Sequence, residues 1–108
     1  MAEPKFDIQT EGFTQLTVSG GSTTWRTTDT LKTKVVASNS FTLVISNLQA
    51  GMSGTLYVNI TSGTSTITLS TGKTNRGAGR IDTLSAGHYI FCFEYDGTNF
   101  FWNMAKYA

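Results

Sequence analysis

Apolar side chains recur at every second position along much of this chain. They come in short runs cut by glycine and small polar residues, the signature of half-buried β-strands. Gln15 to Val18 alternates and stops at Ser19-Gly20-Gly21. Trp25 follows in a Thr-rich stretch, and Leu31 to Val36 forms another candidate strand. Phe41, Leu43 and Ile45 alternate with Thr42, Val44 and Ser46, and Asn47 to Gly51 closes that strand as a loop. Leu56, Val58 and Ile60 share one face of the next strand, with Tyr57 and Asn59 on the other. Thr61-Ser62-Gly63-Thr64 reads as a tight hairpin turn, with Ile67 and Leu69 on the return strand. Ser70 to Arg80 reads as a polar loop, Ile81 to Leu84 as a short strand and Ser85-Ala86-Gly87 as a turn. His88 to Tyr95 is the most apolar strand, Asp96-Gly97 is a hairpin signal, and Phe100 to Met104 is the partner strand.

About eight short strands at fairly even spacing, with no helical period, predict an all-β fold: an antiparallel β-sandwich, jelly-roll-like. No internal repeat of fixed period is visible. The expected core is Phe41, Leu43, Ile45, Leu56, Val58, Ile60, Ile67, Leu69, Phe91 and Phe93, with Trp102 opposite. Residues 1–13 lack a strand pattern and read as an extended N-terminal arm, with a disordered terminus as the alternative. Residues 14–108 form the sandwich domain. As an arm, the first segment offers Phe6, Ile8 and Phe13 to a neighbouring subunit.

Composition sharpens this. Thr, Ser and Gly supply 40 of the 108 residues, which suits pleated strands and tight turns. A net charge of +1 lacks the dense basic face of a general nucleic-acid binder or a polybasic membrane anchor. So sparsely charged a surface tends to associate. No secretory h-region follows Met1 and no apolar run reaches transmembrane length, so synthesis in a reducing cytosol is expected. Cys92 has no disulfide partner and reads as a buried small hydrophobe.

Signals for chemistry are weak. Gly72-Lys73-Thr74 ends like a phosphate-binding loop, but Ile67 stands where its first glycine belongs, and the residues that follow cannot start a stable helix. His88 and Cys92 share a strand parity but stand about 13 Å apart, too far to ligate one ion. Asp96 is explained by its hairpin turn, which leaves no carboxylate pair for glycoside hydrolysis. No catalytic, cofactor-binding or metal-binding residues are expected. Candidate partner contacts are Phe6, Ile8 and Phe13 of the arm, the basic trio Lys73, Arg76 and Arg80, and the surplus aromatics Phe101 and Tyr107. Trp25 and Phe101 also raise sugar stacking as an alternative.

The run Ser85-Ala86-Gly87-His88-Tyr89-Ile90-Phe91-Cys92-Phe93-Glu94-Tyr95-Asp96-Gly97-Thr98-Asn99-Phe100-Phe101-Trp102 resembles the closing hairpin of small β-sandwich domains in phage tail fibres and other virion proteins. Phe41 to Leu69 resembles their lead-in, so the likeness covers roughly residues 31 to 108. It implies a passive structural or receptor-facing part that often trimerises. Such fibre domains usually end a long chain. A short arm before the domain better fits a capsid decoration or auxiliary protein, made in the host cytoplasm and carried on the virion. The partners expected are copies of itself as a homotrimer and the major capsid protein or other virion proteins. A tail- or head-fibre component, or a module recognising a host surface glycan, is the alternative.

Overall fold

A computed structural model describes residues 14–78 and 84–107 of the chain. The described residues are all-β, with nine strands and no helix. They are β1 (Thr14–Leu16), β2 (Ser22–Arg26), β3 (Lys32–Ala37), β4 (Phe41–Ser46), β5 (Ser53–Ser65), β6 (Ile67–Ser70), β7 (Thr74–Ala78), β8 (Leu84–Tyr95) and β9 (Asn99–Tyr107). They form a six-stranded sheet in the order β1-β3-β5-β8-β9-β7 and a three-stranded sheet in the order β2-β4-β6.

The pairing corrects the antiparallel jelly-roll expectation. β1, β3 and β5 run parallel in the large sheet, and β2, β4 and β6 run parallel in the small one. The chain therefore crosses between sheets after each strand and climbs as a solenoid-like coil, three times over. Thr14 stands beside Thr33 and Ser22 beside Thr42, but Thr33 stands beside Leu56 and Phe41 beside Ile67. The coils thus lengthen as they rise, which is why no fixed period shows in the sequence. After β6 the chain stays in the large sheet. β8 pairs antiparallel with both β5 and β9, and β7 lies parallel on the outer side of β9.

Three local expectations change accordingly. Thr61 to Thr64 is not a hairpin turn: β5 runs on through it to Ser65, bulging against β8 between Ile60 and Thr64, before β6 enters the other sheet. Ser85-Ala86-Gly87 is not a turn but part of β8. The stretch read as a polar loop contains β7, a strand paired with β9 from Thr74 to Ala78. The Asp96-Gly97 hairpin forms as expected, closing on the Tyr95–Phe100 pair.

Strand parity builds the core. Phe41, Leu43, Ile45, Leu56, Val58, Ile60, Phe91 and Phe93 are all buried as expected, while Ile67, Leu69 and Trp102 are only half-buried. Trp25 is wholly buried and sets its ring edge-on to Phe93 at 5.2 Å, joining β2 to β8. Phe93 stacks on Phe100 at 4.9 Å, and Phe91 on Trp102 at 5.5 Å. Two glycines make room for these rings. A Cβ on Gly54 would lie 2.6 Å from Phe93 Cε2, and one on Gly77 2.8 Å from the Trp102 ring. The buried Thr27 hydroxyl is satisfied: its Oγ1 donates to the carbonyls of Ser46 and Asn47 at 2.8 and 2.9 Å.

Candidate functional site

The same parity that fills the core leaves two outer faces of opposite character. On the small sheet the outward positions are Ser22, Thr24 and Arg26 of β2, Thr42, Val44 and Ser46 of β4, and Thr68 and Ser70 of β6. This face is mostly hydroxyl. On the large sheet the register aligns four outward ranks. Ser53, Glu94, Phe101 and Arg76 lie side by side, then Lys32, Thr55, Cys92 and Asn103. Lys34, Tyr57, Ile90 and Ala105 form the third rank, and Val36, Asn59, His88 and Tyr107 the fourth.

Val36, Phe101 and Tyr107 are 39%, 42% and 52% exposed, and all three stand on this one face. Cys92 is exposed there too, which corrects its reading as a buried hydrophobe. Its neighbours in sequence, Phe91 and Phe93, point inward, so an outward Cys92 follows from parity despite the apolar run around it. Burial of apolar surface is worth roughly 25 cal/mol per Å², so such a face gains by being covered.

Two depressions open on this face. One of about 600 Å³ is bordered by Lys32, Thr55, Arg76, Cys92, Glu94 and Phe101. The other, of about 380 Å³, is bordered by Val36, Tyr57, His88, Ile90 and Tyr107. Arg76 is held in place at the first, its Nε donating to Asn99 Oδ1 at 2.9 Å. Among the described residues no group of three His, Cys, Asp or Glu side chains could hold a metal ion.

Three of the sequence-derived contact residues therefore meet on one surface: Arg76, Phe101 and Tyr107. Lys73 does not join them. It sits in the turn before β7 with its ammonium 5.4 Å from the Tyr95 ring centroid. Phe6, Ile8, Phe13 and Arg80 lie outside the described residues. Trp25, a candidate for sugar stacking, is inaccessible: it has no exposed surface, and its Nε1 donates to the Thr30 carbonyl at 2.8 Å. Sequence reasoning missed the cluster of Val36, Tyr57 and Ile90. Their shared face depends on the β3–β5–β8 register, which no local run encodes.

Compared with known proteins, the chain matches no protein-family model, no curated protein and no solved structure.

Proposed function

We propose that this chain is a non-catalytic structural subunit that works by being covered, and that the assembly is a virion. The preferred place is the outer shell, as a capsid decoration or auxiliary protein. The observation that carries the assembly reading is the one-sided distribution of exposed apolar groups. Three of the four exposed large apolar side chains among the described residues, Val36, Phe101 and Tyr107, share the outer face of the large sheet, opposite the hydroxyl-rich face of the small one, and the fourth, Leu31, borders the larger depression. The virion reading adds to this the resemblance of the β8–β9 hairpin to phage structural domains.

Cosedimentation tests it. The purified chain should pellet with phage particles at a fixed ratio to the major capsid protein and appear as a regular surface feature in particle images. Failure to associate with any particle fraction from its own host culture removes the virion reading.

Phe101 beside Arg76 and Glu94 at the larger depression favours a second reading, recognition of a host surface glycan. An aromatic face with flanking hydrogen-bonding groups suits a sugar ring. Binding on a glycan array that disappears in Phe101→Ala supports it, and an array without signal removes it.

A further inference from the structure

We infer that the outer face of the large sheet is covered by a second copy of this chain, in a two-fold stack with the strands crossing near a right angle. The inference rests on the reading of this face as an assembly surface and adds the partner and the geometry.

Area comes first. Five strands, β3, β5, β8, β9 and β7, at 4.7–4.9 Å spacing and four ranks deep give on the order of 500 Å² in projection. Side-chain relief brings the buried surface toward the roughly 800 Å² per partner of a stable interface.

Charge then selects the arrangement. Stacking two identical sheets face to face places the two-fold axis in the plane between them. The centre of the face lies level with Phe91 on β8, between Ile90 and Cys92. An axis along the strands puts Glu94 over the second copy's Glu94. An axis across them puts Lys32 over the second copy's Lys34. One diagonal axis puts Arg76 over the second copy's Arg76. The remaining diagonal exchanges distance along β8 with distance across the sheet, and here the spacings agree. Glu94 lies three residues from the centre, about 10 Å along β8. β3 lies two strand spacings from β8, also about 10 Å. Level with Phe91, through Leu56, β3 carries the buried Thr33, with Lys32 and Lys34 facing outward on either side. Each Glu94 thus falls over the second copy's Lys32 and Lys34, with Ile90, Cys92 and Tyr57 at the middle. Near-perpendicular crossing is one of the two ways that sheets pack face to face.

Sedimentation equilibrium of the intact chain across roughly 1–200 μM tests this. The wild type should show twice the chain mass at the upper end. Glu94→Lys, and separately Lys32→Glu with Lys34→Glu, should each weaken pairing about tenfold or more. All three substitutions together should bring it back to within about threefold of wild type. Circular dichroism melts confirm that each variant is folded, and a variant that does not fold is replaced by its neutral counterpart, Glu94→Gln or Lys32→Gln with Lys34→Gln, expected to weaken pairing without reversal. A monomeric wild type, a trimeric mass, or a pair indifferent to these charges overturns the inference. Particle binding is read separately. A monomer that decorates particles sinks the pairing and leaves the subunit reading, and a pair that ignores particles does the reverse.

Discussion

Cys92 and Phe93 are adjacent and have opposite fates. Phe93 is buried between Trp25 and Phe100, while Cys92 stands exposed on the outer face. Parity along β8 was legible in the sequence, because Glu94 has to share a side with Ile90 and Cys92. What misled was the unbroken apolar run, which reads as buried on both faces. Trp25 shows the converse: a Thr-rich setting gave no hint of its depth, which comes from a ring across the core. Packing around Phe93 yields a prediction at Gly54. Its neighbour is the ring edge, which is pinned by two other aromatics, so Gly54→Ala should destabilise by about 1–3 kcal/mol in chemical denaturation. Loss of less than a few tenths would show that the ring can move. Ser65 gives the opposite sign. Its Oγ is buried with no hydrogen-bond partner among the described residues, so Ser65→Ala should raise stability by about 1 kcal/mol in the same assay.

Elements whose partners are close in sequence were legible, and those paired at a distance were not. The β8–β9 hairpin announces itself through Asp96-Gly97, and β4 through its alternation. β7 does not, because Thr74-Asn75-Arg76-Gly77-Ala78 has a loop's composition and becomes a strand by pairing with β9. The coil topology hides for the same reason: a turn such as Ser19-Gly20-Gly21 looks alike whether it returns the chain to its own sheet or sends it to the other. The hairpin turn itself is an acid-sensitive element. Asp96 Oδ1 accepts from the amides of Asn99 and Thr98 at 2.7 and 2.8 Å, and these bonds hold its pKa below the ordinary 3.8. The turn's contribution is therefore complete above pH 3.8 and drains away as pH falls through the lower folded-state value. Asp96→Ala should lower Tm by roughly a few degrees near neutral pH. Asp96→Asn keeps the accepting oxygen and should remove only this residue's share of the acid dependence. An unchanged acid limb in melts of Asp96→Asn would show that the turn carries no such linkage.

At the scale of the whole molecule, two sheets wound from three parallel coils and closed by an antiparallel hairpin pair join segments far apart in the chain. Loop-closure entropy is paid before such contacts form, so refolding from denaturant should take milliseconds to seconds; loss of the whole Trp25 and Trp102 fluorescence change within the mixing dead time of a stopped-flow experiment would contradict the topology. The all-β class could be read from alternation, the outward place of Phe101 and Tyr107 from their surplus to the core, and Arg76 stood out through its basic cluster. Their convergence could not, since it follows from the register of five strands. That convergence carries the proposal that one face of the large sheet is covered in an assembly. Cys92 sits in the middle of it and reports on it directly. The most direct measurement is its rate of maleimide alkylation, followed by mass spectrometry, in dilute chain and in the assembled form. Assembly should slow this alkylation by about tenfold or more, and equal rates in the two forms would show that the face stays open.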